Sequence, residues 1–406
     1  MSAAIPLSRE DREILALESA SVAGHTAKIV VLGEGAPTLE ELRRSVAARL
    51  PAMLKRRLGG TPEEPAWEED EGFSIERHVG EDEGTGPLPE MVARLFEQRL
   101  DRALPLWRID LVPLPEGRAA LVWRIHHALA DGQTCMRLAD EVLWDSPPEA
   151  RPAAAETDQK RRRAHLAGFM RREFVPGAAR SPFDGSIGSQ RRVAFAAVPL
   201  RELHDAAKEL AGATLNDAVL TVTAGALRRW TEAHHGRLAP LRARVPVSLH
   251  RPGEDAGNRD SYFCVALPLS EADPVARLRA THADAAQRKS EHDAEEMDRL
   301  MRELAQVSPS LERLCERFEG SPREFALSVS NVRGPARPVS VLGAPVTQLH
   351  FVAEIGERHA LRVSVNSFAD ELSFGLCADP AIVDGLDAMA AGVVAEAGAL
   401  IAAAGG

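Results

Sequence analysis

Four cysteines in 406 residues set a first limit. Cys135, Cys264, Cys315 and Cys377 stand far apart, with neither metal-ligand spacing nor the pattern of a disulfide framework, which suits a reducing cytoplasm. The opening residues, MSAAIPLSREDRE, lack the apolar core of a signal peptide. No run is read as approaching the roughly 20 apolar residues that span a bilayer. Positive charge is scarce too. The 49 Lys and Arg against 60 Asp and Glu leave a formal charge of −11, which argues against nucleic acid as a partner. No segment is long or polar enough to read as a disordered tail. A soluble, globular, cytoplasmic chain is expected.

Core-forming residues are plentiful. Apolar residues make up 45 % of the chain, and its length exceeds one ordinary core, so two domains or two large lobes are expected.

The chain is organised around Leu121 to Leu143. Leu121-Val122-Trp123-Arg124-Ile125 is an apolar run bounded by polar residues and reads as a buried strand. It ends on His126 and His127. Asp131 and Gly132 follow, and then Met136, Ala139, Val142 and Leu143 fall on one face of a helix. An imidazole at a strand end, set in a cleft, can take a proton from a hydroxyl and return it to a leaving group. That makes His127 the candidate general base. Asp131, beside a helix start, is read as a cap or a partner for a distant arginine, fixing the turn that aims the histidine. A single histidine here would more often be structural. The pattern HHxxxDG, however, arises by chance in a chain of this kind on the order of once in a thousand, and it sits at a strand-to-helix junction, where sites commonly form.

Other stretches read as follows. Ser8 with Asp11 suits a capped helix start, Ala27 to Leu32 a strand, and Thr38 to Leu58 a helix. His78 reads as structural. Pro105 ends a helix predicted over Leu88 to Leu100, and Trp107 packs against the neighbouring strand. Asp145 to Gln190, rich in proline and glycine, reads as a linker. It contains DQKRRRAHLAGFMRRE, where six basic and two acidic residues interleave with Leu166, Phe169 and Met170. Two readings stand: an interfacial helix drawn to anionic lipid, or a solvated helix on a connector. Thr214 to Trp230 reads as a capped helix with Asn216 and Asp217 in its first turn, where capping and salt bridging explain both. Pro274 to Leu314 reads as one or two surface helices. FALSVSNVRGP, residues 325–335, reads as a strand delivering Ser330 and Asn331 to a turn, and Leu361 to Cys377 as a hairpin.

HHALADG resembles the active-site motif of the chloramphenicol acetyltransferase-like superfamily. That superfamily includes condensation domains of peptide synthetases, plant acyltransferases with HxxxD, and the bacterial wax ester synthase/diacylglycerol acyltransferase family. Further stretches resemble the last of these in order: AWEEDEGFSIERHV, Pro105-Leu106-Trp107, Asn216-Asp217, VPVSL, SNVRGP and the closing hairpin. The chain departs from the family where Arg333 replaces a usual proline, where Ala360-Leu361-Arg362 stands for Gly-Leu-Asn, and where Ser367-Phe368 stands for Ser-Tyr.

The resemblance implies an α/β fold of two chloramphenicol acetyltransferase-like lobes with mixed sheets and a tunnel between them. The expected division is residues 1–146 for the first lobe, 147–190 for a crossover linker and 191–406 for the second lobe. It implies O-acyl transfer from acyl-CoA to a fatty alcohol or diacylglycerol, with no metal and no cofactor beyond acyl-CoA as co-substrate. His127, Asp131 and Asn331 are the expected catalytic set, with the Asn331 turn donating to the oxyanion. His126, Gly132, Pro105, Leu106, Trp107 and Ser330 are expected along the substrate-binding walls, the His126 ring packing inward because successive strand residues face opposite sides. Contact with a membrane or lipid droplet is the partner implied by the interfacial reading of the basic segment. Two alternatives stay open: a relative using carrier-bound acyl groups or making a specialised ester or amide, and a non-catalytic lipid-binding relative.

Overall fold

The computed structural model describes residues 4–61, 64–146, 181–236, 238–248, 260–291, 293, 297, 300 and 324–405. The basic stretch 158–173, the Gly257-Asn258-Arg259 turn and most of the helical stretch expected beyond residue 291 lie outside these.

The first half runs β1 (Ile5–Pro6), α1 (Arg9–Ala16), β2 (His25–Leu32), α2 (Leu39–Arg49), β3 (Arg56–Gly60), β4 (Pro65–Glu69), β5 (Val79–Glu81), α3 (Leu88–Phe96), β6 (Trp107–Leu114), β7 (Arg118–His126) and α4 (Gly132–Val142). Capping boxes start two of the helices, Ser8 with Asp11 and Thr38 with Glu41. The second half runs β8 (Arg192–Pro199), α5 (Leu200–Ala211), α6 (Leu215–His234), β9 (Leu241–Ser248), β10 (Asp260–Leu267), α7 (Pro274–Ser290), β11 (Leu327–Val332), β12 (Ser340–Val341), β13 (Ala344–Ala353), β14 (Leu361–Phe368), β15 (Glu371–Ala378) and α8 (Leu386–Ala404).

Two six-stranded mixed sheets carry the fold, in the orders β12-β13-β2-β7-β6-β5 and β10-β9-β11-β14-β15-β8, beside a small β1-β4-β3 sheet. All eight residues of β2 are buried, as befits a strand with both faces covered. Its Val30 and Leu32 join Leu121 and Trp123 of β7 in a core with α2 and α4, while Ala27, Ile29 and Val122 face α3.

The lobe boundary drawn at residue 191 needs correction. β13 lies in the second half of the chain yet pairs with β2, His350 opposite Ile29 and Phe351 opposite Lys28. Without it β2 would present an open row of backbone donors and acceptors. The sheets then meet along β13. Asn366 of β14 donates through Nδ2 to the Leu349 carbonyl at 2.8 Å, and Ser373 Oγ of β15 lies 2.6 Å from His350 Nδ1. Gly375 is required here, because a Cβ would stand 2.0 Å from the Phe351 carbonyl oxygen.

A second correction concerns α8. Its 19 residues are long and apolar enough by composition to cross a bilayer, contrary to the reading of the sequence. It packs against α5, α6 and β8 instead. Its buried Glu396 takes Arg229 Nε at 2.5 Å and also pairs with buried Arg277.

Candidate active site

β7 ends in the middle of the first sheet, and there consecutive histidines part company. His126 is the last paired residue, opposite His25 of β2. Its backbone N–H donates to the Leu106 carbonyl at 2.9 Å, and its ring is buried on the α3 side. Nδ1 accepts from Ala128 N–H at 3.1 Å, and Nε2 lies 2.6 Å from Glu18 Oε1. With its ring buried and both nitrogens close to protein groups, packing and polar contacts account for His126.

His127 follows and is partly exposed between buried neighbours. Its N–H donates to the Gly24 carbonyl at 2.9 Å. Burial pushes the imidazole down to about 4, the Arg362 charge adds to this, and Asp131 opposes both. The ring is neutral at pH 7, the form a general base requires.

Asp131 caps α4, its Oδ1 accepting from Thr134 N–H at 2.6 Å. The Asp131 side chain is buried. Gly132 has a different task. A Cβ there would stand 2.9 Å from Val332 Cγ2, so the motif's glycine is where the second lobe's β11 seats against the first lobe.

That contact fixes how β11 faces. Val332 points at α4, and alternation turns Ser330 the same way while Asn331 turns with Val329 and Leu327 toward the second lobe's own core. Asn331 is exposed there. Of the pair, Ser330 lies on the inter-lobe face. Its Oγ is buried with no hydrogen-bond partner, as is Oγ of Ser364, its neighbour across the β11–β14 pairing.

Pro105, Leu106 and Trp107 are buried scaffold. Leu106 holds His126 as above. Trp107 donates through Nε1 to the Leu54 carbonyl at 2.7 Å and stacks on His78, ring centroids 4.6 Å apart. These contacts account for Leu106 and Trp107. Asp217 occupies the third position of α6 in a capping box with Thr214 and takes His282 Nδ1 at 2.8 Å, with half-exposed Asn216 beside it.

Two cavities, of about 260 and 420 Å³, both touch Arg191 near α3, and His127 lines neither. Among the described residues there is no group of three His, Cys, Asp or Glu side chains set to bind a metal ion.

Against known families, residues 7–175 match the wax ester synthase/diacylglycerol acyltransferase catalytic domain, and residues 256–399 match the C-terminal domain of the same family. A Mycobacterium bovis protein named for diacylglycerol O-acyltransferase activity is 30 % identical over 342 residues, 72 % of this chain and 67 % of that one. The chain belongs to the wax ester synthase/diacylglycerol acyltransferase family. Membership makes it an acyltransferase. The wax ester synthase/diacylglycerol acyltransferase of Marinobacter aquaeolei VT8 superposes with a TM-score of 0.75 at 25 % identity, covering 98 % of this chain and 100 % of that structure. The starter condensation domain of rhizomide synthetase, at 14 % identity and a TM-score of 0.63, covers 100 % of this chain and 95 % of its own and shares the fold.

What the sequence missed is the company His127 keeps. Arg362 belongs to a strand more than 200 residues away, and no local signal marks it as a neighbour of the motif.

Proposed function

We propose that the protein moves an acyl group from acyl-CoA to the hydroxyl of a fatty alcohol or a diacylglycerol, giving a wax ester or a triacylglycerol. His127 is the general base. It takes the hydroxyl proton as the oxygen attacks the thioester carbonyl, and it returns that proton to the departing CoA thiolate. Ser330 Oγ, buried on the inter-lobe face without a partner, supplies a hydrogen bond to the tetrahedral oxyanion. Asp131 holds the first turn of α4 so that the histidine keeps its aim. His127 carries the reading: a neutral, partly exposed imidazole at the end of a central strand, beside the seam of two sheets.

Purified protein incubated with acyl-CoAs of graded length and with fatty alcohols, diacylglycerol or no acceptor, its products read by mass, tests the proposal. Ester from the native chain and none from His127→Ala is expected. Undiminished ester from His127→Ala would remove the assignment. Peripheral contact with a membrane or lipid droplet belongs to the same proposal, since both acceptors partition into lipid, and sedimentation with lipid vesicles reads it out.

A further inference from the structure

Glu354, just beyond β13, ties the second sheet to the anchor of the histidine. Its Oε2 accepts from Ala23 N–H at 3.0 Å, and the next residue, Gly24, holds the His127 N–H. Its Oε1 takes Nε of buried Arg191 at 2.8 Å. Its own carbonyl accepts Nη1 of Arg362 at 3.0 Å. One residue thus fixes both the loop that grips His127 and a guanidinium reaching in from β14.

Arg362 stands on the same face of β14 as Ser364 and Asn366, and the Asn366 bond to Leu349 shows that this face meets the first lobe.

Resting on the general-base reading of His127, we propose that Arg362 is its positioning residue. The strand β14 delivers a fixed cation, braced by Glu354, that keeps the waiting imidazole free of a proton and favours negative charge developing on the thioester oxygen. A guanidinium suits this because it stays charged at any working pH. The other titratable groups acting on the ring are Asp131 from the α4 cap and His126 from β7, whose Nε2 lies 2.6 Å from Glu18 Oε1. Lys28 of β2 lies over the Phe351 ring, 3.2 Å from its centroid. Burial has the largest effect on the imidazole, Arg362 comes next, and Asp131 opposes it with a smaller one.

The test uses the full chain labelled with [13Cε1]histidine, the His127 signal being assigned with His127→Asn. Titration by NMR is followed in the native protein and in Arg362→Asn, Arg362→Met and Arg362→Lys, beside kcat/KM for ester formation against pH. Native His127 is expected to titrate near 4. The two neutral variants should move that midpoint up by about one pH unit, with the acid limb of kcat/KM following, while Arg362→Lys stays close to native. Should Arg362→Met fail to fold, Arg362→Asn carries the comparison. A midpoint unmoved in a folded neutral variant overturns the inference even if ester forms normally. A native protein that forms no ester would remove the general-base reading, and the NMR midpoints would still decide whether Arg362 sets the charge state.

Discussion

His126 and His127 are adjacent in sequence and differently placed in the fold: Nε2 of the first lies 2.6 Å from Glu18 Oε1 on the α3 side, while the second is partly exposed and donates its backbone N–H to the Gly24 carbonyl at 2.9 Å. Their substitutions should separate accordingly. His127→Ala is expected to fold normally and lose roughly 10²- to 10⁴-fold in turnover, the usual contribution of a positioned general base. His126→Ala leaves Glu18 and Ala128 N–H without their ring partner and should lower stability by about 1–3 kcal/mol. Thermal denaturation and product assays on both variants decide it. Equal losses of turnover at full stability would contradict the division.

Gly132→Ala places a methyl against Val332 and should destabilise the seat between the lobes by about 1–3 kcal/mol, as overpacking does elsewhere. Adding Val332→Ala opens the space and should recover much of that loss. A double-mutant cycle in urea measures the coupling, and strict additivity would show that the two residues do not press on each other.

Asp131 has two duties that substitutions can part. Asp131→Asn keeps an α4 cap, whereas Asp131→Ala removes it and should cost about 1 kcal/mol. Both remove the negative charge that opposes Arg362 at His127, so both should lower the His127 titration midpoint further. Urea midpoints and histidine NMR read the two effects independently.

Acid should unfold this protein early. Burial lowers His25 to about 3, and lowers His127, His350 and His359 each to about 4. In the unfolded chain these rings titrate near 6.5. Between those values the unfolded state binds protons that the folded state refuses, so their stabilisation is full above about pH 6.5 and falls steadily toward pH 4. Urea unfolding at pH 7, 6 and 5 should show a progressive drop. A flat profile down to pH 5 would sink this account.

Much of the fold could be read from one dimension. The apolar run before His126, the caps at Ser8 and Thr214 and the amphipathic stretch after Gly132 are local signals, and each produced its element. Long-range pairing left no such trace: nothing near residues 344–353 announces a partner at residues 26–32. α8 was misjudged because Asp387 and Glu396 disguise an apolar helix, whose buried carboxylate is answered by Arg277 and Arg229. The orientation of Ser330 and Asn331 was legible in principle. Leu327 and Val329 face the second lobe's own core, and counting by twos puts Asn331 on that side of β11 and Ser330 on the other.

The β13 exchange has a consequence for how the molecule is made. A ribosome that has released only the first 146 residues has built a sheet whose central strand, β2, lacks its neighbour on one side, and that strand stays ragged until some two hundred further residues emerge. His127 is thus translated early but framed late, and the two halves of the chain, expressed as separate polypeptides, would each carry an exposed sticky edge in search of the other.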